Sequence, residues 1–99
     1  MDLVTKYLVR IWPAGSEPPE MQQSEMSSPE SGADGQEGND RAMIRSIRNW
    51  AQQHANVSGE RYSYEVCRDS MVAALAGGGS NRVVERIVSG TLDPVQPPA

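Results

Sequence analysis

One histidine, His54, and one cysteine, Cys67, are the residues of this 99-residue chain best suited to covalent or metal chemistry. A nucleophilic thiol needs the imidazole within hydrogen-bond reach and an oxyanion site beside it. At helical spacing His54 falls on the apolar edge of one helix and Cys67 on the packed face of the next. That placement points to a packed thiol and a boundary imidazole. A structural zinc site takes four Cys or His ligands at local spacing, and the chain owns two such residues. The run Gly77-Gly78-Gly79 is followed by Ser80-Asn81-Arg82, so it lacks the Gly-Lys-Ser/Thr ending of a phosphate loop. The expectation is a protein without catalytic activity, cofactor or metal.

The elements that would position any site must be built from little apolar material. Hydrophobic residues make up 37 %, with no phenylalanine, and residues 13–40 contribute almost none of them. A core drawn from the remainder barely exceeds the chain entropy, about 1–2 kcal/mol per ordered residue. A partner is therefore expected, either another protein or a second copy in a homodimer. No run of about 18 apolar residues exists to span a membrane, and Asp2 does not fit a secretory signal. With its single cysteine the chain reads as cytoplasmic or otherwise intracellular, not secreted. The triplet Asn56-Val57-Ser58 matches a glycosylation acceptor only by chance on that reading.

Charge is segregated. Residues 13–40 hold Glu17, Glu20, Glu25, Glu30, Asp34, Glu37 and Asp40 with no base, whereas residues 41–99 hold arginines 41, 45, 48, 61, 68, 82 and 86 against fewer acids. The net charge of −4 thus conceals a mildly basic remainder, and it does not exclude a polyanionic partner.

Four segments follow. Residues 1–12 form an apolar docking segment. Leu3, Val4, Tyr7, Leu8, Ile11 and Trp12 make one helical stripe, while the Val, Thr, Tyr, Ile and Trp content suits a strand; a docked N-terminal helix is expected, with a strand as the alternative. Residues 13–40, rich in Pro, Gly, Ser and Glu without periodicity, read as a long disordered acidic linker. Residues 41–90 read as an all-α module of two or three helices. The first, capped by Asn39 or Asp40, runs over 41–55 with Met43, Ile44, Ile47, Trp50 and Ala51 inward. The second covers 60–76 around Tyr64, Cys67 and Met71, with an extended start left open by the alternating tyrosines. The third covers 81–89, where the β-branched run VVERIV leaves a strand open. Residues 91–99 form a flexible proline-rich tail.

The stretch AALAGGGSNRVVERIVSG, residues 73–90, resembles the helix-turn-helix of lac-repressor-type DNA-binding proteins. With Gly78 as the turn glycine, Ala74 takes the small packed position and Val84 and Ile87 the buried pair. The resemblance implies that Ser80, Asn81, Arg82 and Arg86 face the major groove or phosphates. Gly77 and Gly79 depart from the pattern, standing where that family has packed residues. Separately, Arg41, Arg45 and Arg48 form a stripe able to meet phosphates or an acidic protein, and Tyr7 and Trp12 are candidate interface anchors. The favoured function is that of a small regulatory adaptor or inhibitor acting by protein–protein binding, of the kind phages and mobile elements encode. The alternative is a helix-turn-helix transcriptional regulator, with nucleic acid as its partner.

Overall fold

The computed structural model describes residues 2–29, 32–73 and 80–95. In chain order it holds β1 (Leu3–Pro13), β2 (Gln22–Ser28), α1 (Gly32–Ser58), β3 (Tyr62–Ala73) and β4 (Ser80–Leu92). The strands form one antiparallel sheet in the order β2-β1-β3-β4. Strands β2 and β3 are each antiparallel to β1, so they run parallel to one another, and α1 is the crossover that joins them.

This architecture corrects the all-α expectation. In β1 the alternation wins over the helical stripe: Thr5, Tyr7 and Val9 are buried against α1, while Lys6 and Arg10 lie on the other face. The two periods overlap over so short a run, and the β-branched and aromatic content decides between them. Strand β3 alternates likewise, with Tyr64 and Val66 in the core and Ser63 and Glu65 facing away. The second and third expected helices are thus the two strands of a β3–β4 pair, and no helix-turn-helix exists there. Gly77–Gly79, Ala74 and the end of the proline-rich tail lie outside the described residues.

The acidic stretch is not a linker. Residues 22–28 form β2, pairing Leu3 with Ser28 through to Val9 with Gln22, and α1 begins nine residues before the expected start at Arg41. Its buried residues are Gly35, Asn39, Met43, Ile47, Ala51 and Ala55, a strict every-fourth-residue row. Such a row winds by about 40° per step around the helix and so follows the twist of the sheet below. A 27-residue helix is about 40 Å long at 1.5 Å per residue, close to the span of β1. Gly59 ends it in the left-handed conformation, φ 73°, and its N–H closes onto the Ala55 carbonyl at 2.8 Å.

Asn39 and Asp40 do not cap α1; they dock its polar half. The Asn39 side-chain amide donates to Thr5 Oγ1 at 2.9 Å and to the Leu3 carbonyl at 3.3 Å. The Asp40 carboxylate accepts from Tyr7 Oη at 2.6 Å, from Gln36 Nε2 at 2.8 Å and from the Arg68 guanidinium. Burial alone would push the pKa of the Asp40 carboxyl up, but the hydrogen bonds from Arg68, Tyr7 and Gln36 outweigh it and hold the carboxyl below its ordinary range. Burial, then the Asp40 carboxylate, pushes the Tyr7 hydroxyl far upward, so it remains a donor.

Strand β4 closes the sheet at the far edge, with a bulge opposite Val66/Cys67 that lets both Ile87 and Val88 pack on the core. Gly90 faces Tyr64, and a Cβ there would stand 2.8 Å from the tyrosine hydroxyl oxygen.

Gly90→Val should cost about 1–3 kcal/mol by displacing the packed Tyr64 ring, while Gly15→Ala, with open space around it, should stay within about 0.5 kcal/mol; urea unfolding checks both. Arg68→Met should cost about 2–4 kcal/mol by leaving the Asp40 carboxylate desolvated. Because the folded pKa of Asp40 is depressed, its contribution is complete above the unfolded pKa, near 3.8, and is lost as pH falls through the folded one. Stability should therefore decline less steeply with acid in Asp40→Asn than in the parent, as read from denaturant midpoints across that range.

Candidate functional site

The two chemistry-bearing side chains lie on opposite sides of the sheet. Cys67 sits on the uncovered face, opposite Leu8 of β1 and Arg86 of β4. His54 lies on α1, between the Trp50 ring at 5.8 Å and the Tyr62 ring at 5.5 Å. The sheet between them rules out a thiol–imidazole pair. Burial, and then the neighbouring Glu65 carboxylate, raises the Cys67 thiol above its ordinary value, the reverse of what a nucleophile needs. Among the described residues no group of three His, Cys, Asp or Glu side chains is arranged to hold a metal, and no helix is long and apolar enough to cross a membrane.

The face that α1 leaves bare is polar and internally neutralised. Arg10 contacts Glu65 through Nε and Nη2 at 2.8 and 2.7 Å, and Arg86 reaches the same carboxylate at 3.5 Å. Arg82 grips Asp69 with two bonds, 2.7 and 2.9 Å. The arginine hydrogen bonds hold the Asp69 carboxyl low despite the opposing effect of desolvation. Each acid is nearly covered, whereas Arg82 and Arg86 keep more than half of their side chains exposed. These two arginines therefore retain open donors at the β4 rim.

The helix side of β4 is different in kind. Contacts of α1 fall mainly on β1, β2 and β3, with few on β4. A shallow groove of about 270 Å³ is left between the helix and the strand, lined by Ile44, Arg45, Arg48, Asn49, Gln52 and Leu92. Arg45 has no ion-pair partner among the described residues, and Arg48 only shelters over the Tyr64 ring at 6.0 Å. Arg41 makes a loose contact of 3.9 Å with Glu37. No side chain from Asn81 to Leu92 is fully buried, and Val83 and Val84 are 44 % and 49 % exposed.

The residues expected to bind are thus redistributed. Tyr7 is core, 1 % exposed, and presents nothing to a partner. Trp12 is half-buried under the Arg10 guanidinium, 5.1 Å from its ring, and with Trp50 and Tyr62 it lines a second concavity at the open end of β1. Trp50, expected in the core, is instead exposed. Arg45 and Arg48 on one face, and Arg82 and Arg86 on the other, come together along β4. Asn81 lies on that strand too, and Ser80 opens it. Sequence reasoning missed Ile44 and Leu92 as groove lining and missed the pairing of Asp40 with Arg68. A half-buried acid and base in separate elements leave no local signal.

Cys67 should react slowly with an aromatic disulfide reagent in the native state and at the free-thiol rate in denaturant. Fast native labelling would place the thiol in a more open setting. No family model, curated protein or solved structure matches this chain.

Proposed function

We propose that the protein is a non-catalytic binding protein that captures a partner by adding one of the partner's strands to β4. One observation carries this reading: β4 is a 13-residue edge strand with no fully buried side chain among its described residues. Its outer row of backbone N–H and C=O groups is a template for a further strand. The opposite edge, β2, is only seven residues long and is bracketed by Pro18, Pro19 and Pro29, residues that blunt strand pairing. The half-buried Ile87, Val88 and Leu92 offer an added strand apolar contacts on the helix side. A role as adaptor or inhibitor suits a chain with an addressable edge and, among the described residues, no thiol–imidazole pair or metal-holding cluster. An intracellular setting is part of the proposal, resting on the free, buried Cys67.

The test is selection of strand-forming peptides from a displayed library against the full chain, followed by hydrogen exchange of the complex. Slowed exchange across Arg82–Leu92, with β2 amides unchanged, is the expected result. Protection confined to β2, or to the Trp12 and Trp50 concavity, would overturn it. Adjacent strand residues point their N–H groups to opposite sides. One of Val83→Pro and Val84→Pro should therefore keep the fold and lose the peptide, whereas the other breaks the β3 ladder.

A further inference from the structure

Resting on that strand-addition reading, we infer that the segment β4 accepts is an acidic extended peptide, held by arginines on both faces of the new strand. Side chains of an added strand alternate between the helix side and the bare side of the sheet. On the helix side they enter the groove floored by Ile44 and Leu92 and walled by Arg45 and Arg48, guanidinium groups without carboxylate partners among the described residues. On the bare side they meet Arg82 and Arg86, whose outward donors remain open. The one acid on β4, Glu85, is already in contact with Arg68 at 3.2 Å. An incoming carboxylate therefore meets a guanidinium on either face, unpaired on the helix side and already shared with Asp69 or Glu65 on the bare side. The groove's apolar floor sets a second requirement: valine-sized side chains between the acids.

The same charges argue against a second copy in this position. Two-fold pairing of β4 with itself keeps each face with its own kind, so in registers centred near the middle of Arg82–Arg86 the arginines of one copy lie near those of the other. A centre at Val84 sets Arg82 directly against Arg86; centres at Glu85 and Arg86 set like charges against themselves. Cross-strand pairs of like charge are unfavourable. Single-stranded nucleic acid satisfies the arginines but leaves the backbone edge and the apolar floor unused.

Fluorescence anisotropy on the full chain tests this with three probes: a short capped peptide alternating valine with glutamate, its counterpart alternating valine with threonine, and an oligothymidylate. At low salt the glutamate peptide should bind about tenfold more tightly than the threonine one, as expected for two or more charge-assisted contacts at a partly exposed site. High salt should erase the difference. Arg45→Gln with Arg48→Gln should reduce the glutamate peptide's advantage to about threefold or less and leave the threonine peptide unaffected. Equal binding of both peptides, each with β4 protected from exchange, would reject the acidic class while sparing strand addition. Loss of peptide protection at β4 altogether would reject strand addition itself. Oligothymidylate that competes fully, and is indifferent to the proline variant that keeps the fold, would reassign the arginines to nucleic acid. Concentration-dependent dimers abolished by that same variant would assign the edge to a second copy.

Discussion

The Asp40 carboxylate joins three elements at one point. It accepts hydrogen bonds from Tyr7 of β1, from Arg68 of β3 and from Gln36 within its own helix, and Asn39 beside it reaches Leu3 and Thr5. The first third of α1, GADGQEGND, has no apolar side chain larger than alanine, so hydrophobic burial alone cannot hold it on the sheet. Glycine there weakens the helix further, by about 1 kcal/mol per residue against alanine. Hydrogen bonds to a charged group contribute about 1.5–3 kcal/mol when well made and cost more when half-made. The polar cluster is therefore what turns a segment of disordered composition into nine further residues of helix.

Placing α1 this way fixes the rest. The helix lies over β1 and β3 and near β2, with its every-fourth-residue row on the sheet, and this leaves β4 on the thin side. Chemistry then separates across the molecule. Glu25, with Glu17 and Glu20 in the preceding loop, lies toward the proline-bracketed β2 edge, while arginines 45, 48, 82 and 86 lie toward β4. The uneven charge along the sequence becomes an uneven charge across the sheet. The stretch expected as a linker instead supplies one edge strand, residues 22–28, and the first third of α1.

What could be read in advance follows the physics of locality. Residues 41–55 are legible as helix because Met43, Ile47 and Ala51 repeat at helical spacing and good helix formers surround them. Residues 60–76 and 81–89 mislead because alanine and valine at spacings of three and four also occur in β-branched strands, and only pairing between the two segments decides. The resemblance to a helix-turn-helix arises from that same ambiguity. Strand β2 is invisible because QQSEMSS carries a single apolar residue, Met26, too little for an alternation, and its place is set by β1. The arginines were legible as anion-binding residues on a stripe and in a short motif. Their gathering along one edge was not, since it comes from sheet order and helix placement.

The open edge also constrains what kind of binding is available to it. A ladder hydrogen bond contributes a net of about 0.5–1.5 kcal/mol, and an antiparallel neighbour engages only alternate residues of the incoming strand. Ordering that strand costs about 1–2 kcal/mol for each residue. Backbone pairing by itself does not bind. The side chains around β4 must therefore supply the surplus: a small apolar floor at Ile44 and Leu92, and guanidinium donors, those of Arg45 and Arg48 and the exposed sides of the ion-paired Arg82 and Arg86. A neutral strand uses the first and gains little. A strand carrying carboxylates uses both, and loses the second as salt screens it. On the proposed strand addition, selectivity at this edge is set by charge, with the backbone template fixing register and the arginines deciding which segments stay.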